Sequence, residues 1–271
     1  MPRLSIVIVT YNSRGDIDRC VGPLTAEGAL QVDHDIVIVD NASTDGTPAH
    51  VREHWPGVRV IDAGRNLGFA AANNVGIRET SGAFVLLLNP DTIVPRGAID
   101  RLVATLESRS EAAVTGPRIT DAQGHVELSF GPMISPLAEL RQKILVVGND
   151  RGWPIIARLV ERRTRESREV DWVSGACLLI RRSDLEAAGL LDEQFFMYTE
   201  DVDLCASVRA RGRTVLFEPA AQIVHLRGRS AASDRGATHA AYRRSQIAFY
   251  EKHHPRWAWL LRGYLQARGK I

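Results

Sequence analysis

The chain has 271 residues, 45% of them hydrophobic and 24% charged, with a formal net charge of +2. That length supplies the core of one large α/β domain or two small ones. A balance so near neutral gives no general case for nucleic-acid binding. Leu4–Val9 is a β-branched apolar run, and a helix is expected over Asp16–Glu27. Asp35–Val39 repeats the run, followed by the turn Asn41–Gly46 and a short helix through His54. Val58–Ile61, Phe84–Leu88 and Ala112–Thr115 read as further strands, alternating with helices over Phe69–Glu79 and Gly97–Ser108. Short continuous apolar strands between helices are what a buried parallel sheet requires. The class is α/β, with a Rossmann-like, mostly parallel central sheet and helices on both faces.

Beyond Gly116 the pattern loosens. Residues 130–168 hold prolines and a Gly-Asn-Asp-Arg-Gly turn, and the charged run 161–169 reads as an exposed loop or helix with a solvated face. A strand is expected over Val173–Arg181, helices from Ser183 and from Thr199 to Gly212, and strands at Thr214–Phe217 and Gln222–Leu226. Cys20, Cys177 and Cys205 are widely spaced in apolar settings. They read as small core residues in a reducing cytosol, not as a zinc site or disulfide framework. No apolar run approaches the roughly 18 residues of a membrane span, and no signal peptide is apparent. The expected location is cytoplasmic, including the inner face of the cell membrane as a peripheral site.

In open parallel sheets, ligands bind beyond the carboxyl ends of the strands. Thr10-Tyr11-Asn12, Asp40-Asn41 and Asn89-Pro90-Asp91 each end an apolar run there, so they should converge on one rim. One such carboxylate would be read as a turn former, as Asp45 before Gly46 is; three clusters at matching positions point to a ligand. A dinucleotide fold is disfavoured, because no Gly-x-Gly-x-x-Gly follows the first strand, and a P-loop is absent too. Phosphates would then be neutralised by a divalent cation, Mg²⁺ or Mn²⁺, held by Asp91.

Ser-Ile-Val-Ile-Val-Thr-Tyr-Asn12, Ile-Val-Asp-Asn-Ala-Ser-Thr-Asp-Gly-Thr47, Arg-Asn-Leu-Gly-Phe-Ala-Ala-Ala-Asn-Asn74 and Leu-Leu-Asn-Pro-Asp91 resemble the inverting family 2 glycosyltransferases of the GT-A fold. Trp172-Val-Ser-Gly-Ala-Cys-Leu-Leu-Ile-Arg181, Phe-Phe-Met-Tyr-Thr-Glu-Asp-Val-Asp203 and His225-Leu-Arg-Gly-Arg-Ser230 continue the resemblance in order, over about residues 4–250. Within the family the chain looks most like the bacterial rhamnosyltransferase branch. The resemblance makes residues 1–120 the nucleotide-sugar half of one GT-A domain and 121–250 its acceptor-binding and catalytic half, with 251–271 a basic, aromatic C-terminal helix.

By resemblance, Thr10, Tyr11 and Asp40 hold the base and ribose of a dTDP- or UDP-sugar, with Asn12, Asn66, Gly68 and Asn89 on the same side. A Tyr ring can stack on a pyrimidine and a carboxylate can accept its ring N–H. Asp91 stands at the last position of the family's Asp-x-Asp motif, whose first carboxylate is Asn89 here, and His225 completes the metal site. Asp201 of the Glu200-Asp201 pair matches the family's catalytic base. Read from residue type alone, Glu200, Asp201 and Asp203 are helix-start acids that favour the dipole. The apolar approach Phe195–Tyr198 would raise the basicity of Asp201, while the dipole works the other way. Glu200 would bind an acceptor hydroxyl, and Trp172 either stacks on a sugar or packs in the core. Arg227 or Arg229 would assist the leaving diphosphate.

The basic, aromatic segment 255–270 reads as a helix that lies on an anionic membrane surface, packs on the domain, or forms a homodimer contact. Arg256-Trp257 resembles the end of a Gln-x-x-Arg-Trp motif of processive synthases, but the Gln is missing and no spans follow. The expected function is therefore a single transfer, from dTDP-L-rhamnose, to a glycan or lipid-linked acceptor in cell-surface polysaccharide assembly. The same fold with UDP-GlcNAc, UDP-galactose or UDP-galactofuranose, or a non-catalytic sugar-nucleotide-binding module, are the alternatives.

Overall fold

Alternation along the first strand organises the molecule. In the computed structural model, which describes residues 1–226 and 235–269, strand β1 (Leu4–Thr10) lies fully buried inside a ten-stranded sheet. Side chains of successive strand residues point to opposite faces. Leu4, Ile6 and Ile8 pack with Ile17, Cys20, Val21 and Leu24 of helix α1 (Ile17–Thr25) and with helix α4 (Ala98–Ser108). Val7 and Val9 face the other way, toward helix α3 (Phe69–Arg78). Each fully buried branched side chain contributes about 1.5–3 kcal/mol, which fixes the register of the parallel pairs.

The sheet order is β3 (Arg59–Asp62), β2 (His34–Asp40), β1, β4 (Phe84–Leu88), β11 (Cys177–Arg181), β6 (Ala112–Thr120), β12 (Thr214–His225) and β5 (Thr92–Ile93). Strands β1, β2, β3 and β4 run parallel, and β11 is antiparallel to both β4 and β6. The expected α/β class is borne out, and the sheet is mostly parallel with helices on both faces. Helix α2 (Thr47–His54) begins with Pro48 in its first turn, where a missing N–H costs nothing.

The second half departs from expectation in three places. Residues 130–168, read as loosened chain, contain helix α5 (Pro136–Asp150), capped by Ser135, and helix α6 (Pro154–Arg163). Part of the charged run pairs with β12 as strand β9 (Arg168–Val170). The expected strand Val173–Arg181 is two: β10 (Trp172–Val173), paired with β8 (Phe130–Gly131), and β11. Conversely, the two strands expected after Thr214 are one, β12, whose register shifts between Glu218 and Gln222, where Glu218 accepts from the Ala220 N–H at 2.9 Å.

Helix α7 (Arg182–Ala188) and helix α8 (Glu200–Arg209) complete the second face, with Leu204, Cys205 and Val208 in the core. Helix α9 (Arg235–His253) and helix α10 (Pro255–Ala267) close the chain. Asp203, read as a helix-start acid, ties α8 to α9: its buried carboxylate meets Lys252 Nζ at 2.9 Å and His253 Nε2 at 2.6 Å. Asp203→Ala should cost about 1–3 kcal/mol, because it removes the His253 bond and one of the two Lys252 bonds, Lys252 keeping Asp192 at 2.7 Å; urea unfolding measures it. All three cysteines are buried and free, and burial pushes the Cys20 and Cys205 thiols up to about 12, as inert core residues require. Among the described residues, no helix is long and apolar enough to cross a membrane.

Candidate active site

A cavity of about 550 Å³ opens beyond the carboxyl ends of β1, β2 and β4. Of the residues singled out in the sequence, Tyr11, Asn66, Gly68, Asn89, Asp91, Glu200, Asp201 and His225 line it. A second cavity of about 590 Å³, between α4 and the β9–β12 edge, contains none of them.

The nucleotide-side rim is tied together by side chains that do not themselves face the cavity. Asp40 is buried, and its carboxylate accepts from Thr10 Oγ1 (2.9 Å), the Ser43 N–H (2.8 Å) and Ser43 Oγ (2.6 Å). Asn12, held at φ 52°, accepts from the Thr44 N–H at 2.8 Å. Thr10, Asn12 and Asp40 therefore lock the ends of β1 and β2, and Tyr11, Ser13 and Asn41 line the cavity in front of them. Asn41 donates to the Gly68 carbonyl at 3.0 Å and accepts from the Leu67 N–H, which docks the 66–68 loop on β2. Gly68 adopts φ +83°, and the room left by its missing side chain is taken by Phe196: a Cβ there would lie 2.3 Å from the Phe196 carbonyl oxygen. The expected close approach of Gly68 is thus to this protein's own backbone.

Asp91 and His225 meet because β5 pairs antiparallel with the end of β12, with His225 opposite Thr92. The Leu226 N–H donates to the Asp91 carbonyl at 2.8 Å, and His225 Nε2 lies 3.2 Å from Asp91 Oδ1. On the other side of the ring, Nδ1 lies 3.5 Å from Glu127 Oε2. Glu127 reaches it from strand β7 (Val126–Glu127), which pairs with β6, the parallel neighbour of β12. Burial alone would lower the His225 pKa, but the Asp91 and Glu127 carboxylates outweigh it and lift it to about 9. Two ligands of one octahedral ion at about 2.1 Å stand about 3 Å apart when adjacent, so the Asp91–His225 spacing fits a shared cation. Among the described residues no group of three such side chains encloses a metal. An ion here would take its remaining ligands from phosphate or water.

The Glu200-Asp201 pair faces the same cavity from the start of α8. Tyr198 (φ 71°) and Thr199 (φ 66°) precede it, both in the left-handed region that non-glycine residues rarely enter. Among the described residues Asn12 and Ala42, next in sequence to the cavity-lining Tyr11 and Asn41, share that region. Strain of this kind collects at functional sites. Asp201 accepts from the Gly175 N–H at 2.7 Å and the Val202 N–H at 2.8 Å. Burial raises its pKa, and those backbone donors oppose the rise. Glu200 is less well supplied: Oε2 is buried without a hydrogen-bond partner, and burial, then the Asp201 charge, push its pKa well above the usual range against the opposing pull of its own backbone N–H, with the Asp203 charge adding to the rise. The environments separate the two acids. Asp201 receives two backbone N–H bonds that favour its charged form, whereas burial and the neighbouring acids favour the protonated form of Glu200.

Trp172 does not reach the cavity. Its indole packs on Gly131 and donates to the Pro132 carbonyl at 2.9 Å. Arg227 and Arg229 lie outside the described residues. Sequence reasoning missed Gly175, whose N–H holds Asp201 and whose Cβ would lie 3.3 Å from that residue's Cβ. It also missed Glu127, which no local signal marks.

Residues 5–187 match the family model described as Glycosyl transferase family 2. The chain belongs to the family 2 glycosyltransferases. This glycosyltransferase is 32% identical, over 99% of its own length and 92% of the other's, to the N-acetylglucosaminyl-diphospho-decaprenol L-rhamnosyltransferase of Mycobacterium tuberculosis. It is 23% identical to the rhamnosyltransferase WbbL of Escherichia coli, over 81% and 82% of the two chains. Its fold matches that of the mannosyltransferase PcManGT from Pyrobaculum calidifontis, solved in complex with GDP-Man and Mn²⁺, with a TM-score of 0.61 and 18% identity over 96% of this chain and 68% of that one. The expected enzyme class, the GT-A fold and the rhamnosyltransferase-like branch are all borne out.

Proposed function

We propose that this enzyme transfers one L-rhamnosyl residue, with inversion, from dTDP-L-rhamnose to a lipid-linked glycan acceptor in cell-surface polysaccharide assembly. The observation that carries the reading is the placement of the Asp91–His225 pair and Asp201 on one cavity. The likeness to rhamnosyltransferases supports the donor. So does the apolar part of the lining, where Val9, Phe69 and Met197 offer a surface suited to a 6-deoxy sugar's methyl group.

On this reading the exposed Tyr11 ring stacks on the pyrimidine, while Asn41 and Asn66 complete the nucleotide side and Asp40 and Thr10 hold that rim in shape. Asp91 and His225 would hold a divalent cation beside the donor diphosphate, and such an ion would supply positive charge against the charge the diphosphate gains on leaving. A nitrogen ligand in the set favours Mn²⁺ over Mg²⁺. Asp201 takes the proton of the acceptor hydroxyl as that oxygen bonds to the anomeric carbon, and the electron pair of the breaking C–O bond leaves on the diphosphate. Glu200 donates a hydrogen bond to a neighbouring acceptor oxygen.

Turnover of dTDP-L-rhamnose, UDP-GlcNAc, UDP-galactose and UDP-galactofuranose with Mn²⁺ and a polyprenyl-diphosphate glycan tests the reading. Preference for the rhamnose donor and an inverted anomer by NMR are expected. A preferred UDP-sugar would reassign the donor, and no turnover with any acceptor would leave a binding module. Glu127 orients the His225 ring through its far nitrogen, as carboxylates do for metal-bound histidines. Glu127→Gln should therefore weaken Mn²⁺ about 10–100-fold in a calorimetric titration.

A further inference from the structure

The last helix turns its largest side chains outward. Helix α10 packs Ala258, Leu261 and Leu265 inward, at i, i+3 and i+7. Trp257, Trp259, Leu260 and Tyr264 are left 50%, 67%, 42% and 55% exposed. The α5–α6 hairpin does the same. Gln142 and Asn149 bond inward to the Phe130 and Val126 carbonyls, and Leu145 is buried. Leu137, Leu140 and Ile144 form an outward stripe, with Trp153 and Ile155 exposed at the hairpin turn. The two elements meet where α9 hands over to α10: the N-capping His254 bonds the Ile134 carbonyl through Nε2 at 2.6 Å, and Tyr250, in the last turns of α9, donates to Glu139 of α5 at 2.5 Å.

Charge selects what covers these faces. Residues 255–269 carry three arginines and no acid, and residues 141–165 carry seven bases against Asp150 and Glu161. Glu161 is already paired with Arg118 and Arg165. Arg141, Arg162 and Arg163 have no carboxylate within ion-pair distance among the described residues, and Arg163 is pushed below its ordinary pKa by burial and by Arg141, Arg168 and Arg162. A second copy of the chain would bring the same positive surface and be repelled. Exposed tryptophan and tyrosine among arginines and leucines match an anionic lipid interface.

We propose that α10 and the α5–α6 hairpin form one docking surface for an anionic bilayer. It holds the enzyme on the membrane plane by aromatic insertion and by basic attraction. The surface is separate from the transfer site, and its test needs neither donor nor acceptor.

Co-sedimentation of the full chain with vesicles of phosphatidylcholine alone, and of equal parts phosphatidylcholine and phosphatidylglycerol, decides it. Binding only to the anionic vesicles is expected, falling at least about tenfold in Trp257→Ala/Trp259→Ala/Tyr264→Ala and in Arg141→Glu/Arg162→Glu. These side chains are exposed, so melting temperature and turnover of a short water-soluble acceptor should stay at wild-type values. Equal binding to neutral vesicles, or unchanged binding in either variant, would overturn the proposal. So would a concentration-dependent dimer in light scattering that the aromatic variant abolishes.

Discussion

Asp201→Asn should lower the transfer rate roughly a thousandfold while leaving donor affinity unchanged, the loss expected when a general base is removed from an otherwise intact site. Steady-state kinetics and a donor titration on the same preparation separate the two quantities. The pH profile carries a second signature. Asp201 must be ionised to accept a proton, and burial holds its pKa above the ordinary value. Activity should therefore fall as pH drops through an ionisation above about 3.9. Glu200 must keep its proton to donate, and its pKa is raised well above the usual carboxylate value. Activity should fall again as pH rises through that value, giving a bell. Because the two acids interact, the limbs belong to the pair. Glu200→Gln should remove the alkaline limb and keep the acid one. A profile unchanged by Glu200→Gln would deny that residue its role.

Gly68→Ala should be the most damaging glycine-to-alanine change among the described residues. The position combines φ +83° with ψ −179°, a conformation essentially restricted to glycine, and the new Cβ would stand 2.3 Å from the Phe196 carbonyl oxygen and 2.6 Å from its ring. Relief requires the Phe69 N–H to Phe196 carbonyl bond, 2.6 Å long, to open. Strain and overpacking together should cost about 3 kcal/mol or more. The damage should also reach activity, because Phe196 leads through Met197 and Tyr198 into Glu200 and Asp201. Gly64 is the control: its φ is +71°, but a Cβ there meets nothing within 4 Å. Gly64→Ala should cost about 1 kcal/mol and leave kcat/KM alone. Equal losses from the two substitutions in urea unfolding would show that the Phe196 contact is unimportant.

The first half of the fold was legible because β1, most of β2, and β4 are buried on both sides and read as unbroken apolar runs. Phe84–Leu88 has the bounds expected of it, β1 gains Thr10 at its end, and β2 gains His34 and Asp40. The hairpin α5–α6 was not legible, for two reasons. Its prolines, Pro136 and Pro154, start helices where they looked like breaks. Its outward stripe is apolar, so the contrast between faces that marks an amphipathic helix is weak. The site divides along similar lines. Asp91 stands out at a strand end, whereas Glu127 acts through a partner far along the chain, and only the β7–β6–β12 pairing reveals it. Asp40 shows the converse. Its position at the rim was readable, but its engagement with Thr10 and Ser43 follows only from how the ends of β1 and β2 lie side by side. Asp201 looked like any helix-start acid. Its distinction is the Gly175 N–H, supplied where the expected strand breaks between Val173 and Cys177.

The central claim is that Asp91, His225 and Asp201 act on one bound sugar nucleotide. A crystal soaked with MnCl₂ and dTDP, measured at the manganese absorption edge, tests it most directly. An anomalous peak bonded to the Asp91 carboxylate, His225 Nε2 and the diphosphate is expected, with the thymine over Tyr11 and the open side of the diphosphate facing Asp201. A peak elsewhere, or a nucleotide bound outside this cavity, would contradict it.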